Sequence, residues 1–94
     1  DAPILARPDS LMLRLLGATR ARAPDLYGRL SEIRRHGADE LLLVLDSVPV
    51  RARAAVTLNR LADLELVEQD LARRGLRPLE LDLRFRDQVI ARLP

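Results

Sequence analysis

The sequence contains no cysteine, no lysine and no tryptophan, and it has only one histidine, one phenylalanine and one tyrosine. Without cysteine there is no disulfide framework, no thiolate nucleophile and no cysteine metal site. The single histidine, His36, lies in a His-Gly-Ala-Asp stretch between two predicted strands. We therefore interpret His36 as a solvated turn residue rather than as a catalytic base.

Sequence motifs for enzymatic chemistry are also missing. The chain has no glycine-rich phosphate loop, no metal-ligand spacing and no nucleophile elbow. We therefore expect a protein that is not an enzyme, with no cofactor, no metal and no small-molecule substrate.

Long apolar runs are absent as well. No stretch approaches the about 20 residues that a membrane-spanning helix needs, and no signal peptide is recognisable. The 94 residues suit one domain, which spans residues 1–94. Because the chain begins at Asp1 rather than methionine, we interpret it as a fragment of a longer protein, whose membrane anchor would lie outside this sequence.

The charge of the chain is nearly balanced. All sixteen basic residues are arginine, and fourteen acidic residues offset them to a formal charge of +2. An arginine-rich nucleic-acid-binding module is one alternative function. The interspersed acidic residues and the lack of aromatic stacking platforms make it the less favoured one. A structural domain that packs only within its own chain is another alternative.

The residues that are abundant are aliphatic, and their spacing predicts an α+β fold. The sheet should be mainly antiparallel, with a three-strand meander and C-terminal strands covered by two helices. The predicted elements are an extended stretch around Ile4 and Leu5, a helix at 11–22, a turn at 24–29, strands at 30–35, 40–46 and 48–53, and a helix at 58–74.

Three finer expectations follow from the apolar spacing. Leu11, Leu15 and Leu16 should share the buried face of the first helix. The apolar run 40–46 should be a central strand with both faces covered. Thr57 should cap the second helix, Gly75 should take the left-handed position after it, and Pro78 should prevent its continuation. The buried stripe of this helix is expected at Leu61, Leu64, Val67 and Leu71.

The C-terminal residues 79–92 show two strand patterns. In the first, Leu79, Leu81, Leu83 and Phe85 alternate with polar residues that should face the other way. The second is a short run at 88–92, rich in valine and isoleucine.

If residues 88–92 form the edge of the sheet, their outer backbone groups are either an ordinary terminal edge or a docking strip for another chain. The residues alone favour neither of these two interpretations. Under the docking reading, Ile90→Pro should abolish partner binding far more than it destabilises the domain.

Several segments in order resemble the C-terminal extracytoplasmic β domain of the FtsQ/DivIB cell-division proteins. They are "APILARPDS", "APDLYGRLSEIRR", "ELLLVLDSVPVRA", "LVEQDLARRGLRP" and "ELDLRFRDQVIARLP". The match to the family's "DLRF" or "DLRY" core lies at residues 82–85. The resemblance covers nearly the whole chain.

This resemblance implies a non-catalytic scaffold of the bacterial divisome. It implies location on the periplasmic side of the inner membrane at the septum, with a transmembrane anchor and a POTRA domain in the longer protein. The implied partners are FtsB-like and FtsL-like division proteins, and the FtsB-like partner would add a strand to the end of the sheet. Carried over by position, the implied partner-binding residues are Arg84, Phe85, Gln88, Val89, Ile90, Ala91 and Arg92.

Overall fold

A computed structural model describes residues 3–6 and 9–94, and within them the predicted α+β class is confirmed. Helices α1 and α3 contribute to one core with the sheet, and a short third helix, α2, precedes the second strand. The elements are β1 (Ile4–Ala6), α1 (Ser10–Arg22), α2 (Pro24–Arg29), β2 (Leu30–Arg35), β3 (Glu40–Leu45), β4 (Val48–Arg53), α3 (Leu58–Arg73), β5 (Glu80–Asp82) and β6 (Ile90–Arg92).

The six described strands lie in the sheet in their chain order, from β1 at one edge to β6 at the other. The predicted meander is confirmed, because β2, β3 and β4 pair antiparallel, and β6 pairs antiparallel with β5. The stretch around Ile4 proves to be a strand parallel to β2, and β4 is parallel to β5. Each parallel pair needs a crossover, which α1 with α2 provides in one case and α3 in the other.

The hairpin between β3 and β4 turns at Asp46 and Ser47, whose φ angles are 49° and 68°. Positive φ at both central residues is the signature of a type I′ turn, whose twist matches that of the paired strands. The turn sets Leu43 opposite Val50, and both side chains are buried on the helix-covered face. The expectation that both faces of β3 are covered is wrong, since its alternate residues are only half-buried.

Helix α1 begins after Asp9, whose side-chain oxygen accepts a hydrogen bond from the amide of Met12 at 3.0 Å. The buried positions are Met12, Leu15 and Thr19, three to four residues apart. The prediction that Leu11 is buried is wrong, because with this start the core-facing stripe passes through Met12 and leaves Leu11 38% exposed.

Helix α3 follows the prediction closely. Thr57 accepts a hydrogen bond from the amide of Arg60, and Gly75 takes φ 68° after the last turn. Leu61, Leu64 and Leu71 are buried, and Val67 packs against them from a half-buried position. With α1, this stripe covers one side of the sheet, and no helix in the described part of the chain covers the other.

Both C-terminal strands are shorter than predicted. Pro49 lies two residues before Arg51 on the side of β4 that faces β5, and it has no N–H to donate where β5 begins. At the other end, the Asp82 carboxylate accepts the amide of Arg84 at 3.0 Å, a local turn that diverts the chain from the ladder. Leu79 and Phe85 are therefore exposed, against the alternation that predicts them on the buried face.

Candidate protein-binding edge

Strand β6 lies at one edge of the sheet, and no other strand within residues 3–6 and 9–94 pairs with its outer side. Its register against β5 sets Glu80 opposite Arg92, Leu81 opposite Ala91, and Asp82 opposite Ile90. An edge strand carries a row of backbone donors and acceptors, which an extended chain can bind.

The direction of these backbone groups follows from β5. The amide of Leu83 donates to the carbonyl of Arg51 at 2.8 Å, so the backbone groups of residues 81 and 83 point to β4. Because these groups alternate along a strand, those of Glu80 and Asp82 point to β6. The carbonyl of Arg92 accepts the amide of Leu79, which precedes β5, at 2.7 Å, so this carbonyl also faces β5.

It follows that the N–H and C=O groups of Ile90 and Arg92 face β5. The same groups of Ala91, between them, point outward. The side chain of Ala91 packs against the core from a half-buried position, whereas Ile90 and Arg92 lie on the opposite face of the sheet and are exposed. Ala91 is therefore the centre of the free edge.

The face that carries Ile90 and Arg92 is the open face, away from the helices. Apolar and charged side chains are mixed across it in the register of the strands. Along β2 to β6, the open face carries Glu32, Arg34, Glu40, Leu42, Val44, Pro49, Arg51, Arg53, Glu80, Asp82, Ile90 and Arg92.

An ionic cluster of Arg84, Asp82 and Glu40 lies on this open face. The Arg84 guanidinium lies 2.7 Å from the Asp82 carboxylate and 3.0 Å from that of Glu40. Its hydrogen bonds hold the pKa of both carboxyls below their ordinary values, although burial opposes this for each. Asp82, predicted to face solvent, is only 8% exposed because Arg84 covers it.

The loop between β5 and β6 is held by arginines from outside it. Arg60 of α3 donates to the carbonyls of Leu83, Phe85 and Gln88, the last at 2.6 Å. Arg53 of β4 donates from Nε to the carbonyl of Arg84 at 3.0 Å. These bonds fix the start of β6 against α3 and β4.

The residues predicted to bind a partner lie in four different settings. Ile90, Ala91 and Arg92 form β6 itself, while Val89 packs against the core and Gln88 is held through its carbonyl. Arg84 is engaged by two carboxylates. Phe85 is 45% exposed, has its ring centroid 5.8 Å from the Arg84 guanidinium carbon and lines a groove of about 460 Å³.

Arg60 and Arg53 are the residues near this edge that sequence reasoning missed. Arg60 is three residues from Asp63, with which it forms an ion pair at 2.6 Å, so in the sequence it looks like an ordinary helix-surface pair. Its bonds to carbonyls more than twenty residues away carry no local signal.

No model of a known protein family matches this chain, and no curated protein matches it. No helix in the described part of the chain has the length and apolar character to cross a membrane. The sheet edge is therefore interpreted from its own geometry.

Proposed function

We propose that this chain is a non-catalytic protein-binding domain whose partner adds an extended strand to the outer edge of β6. The observation that carries the proposal is the outward-pointing N–H and C=O of Ala91, at an edge that no described strand covers. Main-chain hydrogen bonds would supply much of the affinity, and the exposed side chains beside them would set register and selectivity.

The sequence resemblance supports a more specific role, that of an FtsQ/DivIB-like scaffold in the bacterial divisome. In that role the partner is an FtsB-like protein, bound together with an FtsL-like one on the periplasmic side of the inner membrane at the septum. The support consists of the ordered segments that end in "DLRFRDQVIARLP", of which β6 is the last strand.

The arginine pairing weighs against the nucleic-acid alternative. Many of the described arginines lie within 4.0 Å of a carboxylate, so their charge is offset within the domain. Four arginines on the open face make the point most directly: Arg34 pairs with Glu32, Arg51 and Arg84 with Glu40, and Arg92 with Glu80.

Proline at Ala91 is the substitution that tests strand addition. Ala91→Pro removes a single backbone donor, and that donor points away from the sheet. We expect a backbone-amide NMR titration with a peptide from the membrane-distal, extracytoplasmic part of the same organism's FtsB-like protein to shift β6 resonances in the unchanged domain. The same titration should fail with Ala91→Pro, while the melting temperature of the variant stays within a few degrees.

Ile90→Pro is the matched control. The N–H of Ile90 points to β5, so a proline there removes a hydrogen bond of the sheet and should lower stability and binding together. The selective loss of binding that the sequence predicts for Ile90→Pro is therefore expected at Ala91 instead. Wild-type affinity in Ala91→Pro would refute strand addition. No shifts in the unchanged domain would refute the FtsQ-like role, and binding to an oligonucleotide that falls steeply with salt would favour the alternative.

A further inference from the structure

The edge strand presents different chemistry at each of its three residues. Ile90 is 43% exposed on the open face, and the Arg92 side chain is 67% exposed two residues further along. Ala91, between them, has its side chain on the helix side. A strand added to β6 would meet all three in a fixed order.

Arg92 has capacity for a second carboxylate. It pairs with Glu80 on its β5 side at 4.0 Å, a long contact for an ion pair, and its other side faces the position of an added strand. Opposite charges directly across a pair of strands are favourable, and like charges are unfavourable. An acidic residue on the added strand, directly opposite Arg92, would therefore be favourable.

Ile90 favours an apolar neighbour on the added strand. On its β5 side lies Asp82, already engaged by Arg84, and on its outer side nothing in the described residues covers it. An apolar side chain beside Ile90 would remove apolar area of both from water.

The hydrogen-bonding pattern would bring the partner side chains close to Ile90 and Arg92. If Ala91 exchanges both backbone bonds with the partner, then Ile90 and Arg92 fall at non-hydrogen-bonded pairs, where the Cα atoms are only about 4.5 Å apart. Residue identity at these two partner positions should therefore affect affinity more than at positions further along.

We propose that β6 binds an extended peptide running antiparallel to it, with an acidic residue two positions before an apolar one. The acidic residue lies beside Arg92, the apolar residue beside Ile90, and the residue between them pairs with Ala91. The antiparallel direction continues that of β6 on β5 and is the more stable pairing per residue. This inference rests on the proposed function, because it specifies the partner of the same edge.

The test uses synthetic peptides that differ only in a central triplet within one threonine- and valine-rich host. The triplets are Glu-Ala-Val, Lys-Ala-Val and the reversed Val-Ala-Glu. By NMR titration we expect the Glu-Ala-Val peptide to bind the unchanged domain about two- to fivefold more tightly than either of the others.

Charge reversal on the domain distinguishes a local pair from overall charge. Arg92→Glu should reverse the preference, so that Lys-Ala-Val binds more tightly than Glu-Ala-Val. Arg20→Glu makes the same change in net charge at an exposed position on α1 and should leave the preference as it is.

Three results would overturn the inference. Equal effects of Arg92→Glu and Arg20→Glu on the peptide preference would show that the preference depends only on the net charge of the domain. Tighter binding of the reversed triplet would contradict the antiparallel direction. If none of the peptides binds, while a natural partner still binds in a manner that Ala91→Pro abolishes, the triplet rule fails and the proposed function stands.

Discussion

At the scale of single residues, the cluster of Arg84, Asp82 and Glu40 explains the "DLRF" segment without a partner. Asp82 ends β5 through its bond to the Arg84 amide, and the Arg84 side chain folds back over it to reach Glu40. Each carboxyl therefore has a pKa in the folded protein below its ordinary value. The stabilisation is fully present above the ordinary pKa and is lost as the pH falls through the lowered one.

We expect an acid-side loss of stability that depends on this cluster. Carboxyl ¹³C NMR titration should give midpoints below 3.8 for Asp82 and below 4.5 for Glu40. In Arg84→Gln both midpoints should rise, and the free energy of unfolding should depend less on pH in this range, because the guanidinium that favours the charged forms is gone.

Arg20→Gln is the matched control for the Arg84 variant and should leave both midpoints in place. Unchanged midpoints in Arg84→Gln would contradict the assignment of Arg84 as the cause of the lowered pKa values.

At the scale of elements, Arg60 connects α3 to the loop that leads into β6. One terminal nitrogen of the guanidinium, Nη2, lies within hydrogen-bond distance of all three carbonyls, while Nη1 of the same group pairs with Asp63 of the helix. This forked geometry engages the loop and the helix together, which the single nitrogen of an ammonium group cannot reproduce. The position of the proposed binding edge is thus set partly by a helix on the other side of the loop.

We expect Arg60→Ala to release β6 selectively. Amide hydrogen exchange at Ile90 and Arg92, whose N–H groups face β5, should become faster, while amides of β3 and β4 keep their protection relative to the global stability. The loss of hydrogen bonds from a charged donor should cost about 1 to 3 kcal/mol of stability.

Arg60→Lys should be intermediate, and Arg73→Ala, at an exposed position of the same helix, should change neither quantity much. A uniform rise in exchange over the whole sheet in Arg60→Ala would show a general role in stability and no specific hold on β6.

The elements that the sequence predicts well are those whose signals are local. The cap at Thr57, the apolar stripe of α3, the stop at Gly75 and the meander all depend on neighbours within a few residues. The edges of the sheet are harder to predict from the sequence, because the parallel pairing of β1 and the early end of β5 depend on strands distant in the chain. The residues of the proposed site in β6 are predictable as a run, but the outward direction of the Ala91 backbone groups requires the register.

At the scale of the whole molecule, a sheet with a face that no described helix covers and two edges that no described strand covers has a tendency to self-pair. Two copies could join antiparallel at β6, with the two Ala91 residues on a two-fold axis exchanging backbone bonds. In such a pair Ile90 of one copy lies beside Arg92 of the other, which lacks the acidic neighbour that Arg92 favours.

We therefore expect weak, concentration-dependent dimers that the Glu-Ala-Val peptide dissociates. Sedimentation velocity over a range of protein concentrations should show them, and Ala91→Pro should keep the chain monomeric. Dimers of equal strength in Ala91→Pro would place the self-association on another surface, such as the apolar centre of the open face.

The chain-order arrangement of the strands has a consequence for how the molecule reaches this structure. Each described strand neighbours the strand before it, so the sheet can grow outward from the β3–β4 hairpin without bringing distant parts of the chain together first. The entropy of loop closure is then small at each step, except at the two helical crossovers. Such low contact order favours fast folding, and the proposed binding edge, at one end of the sheet, would be among the last parts to form.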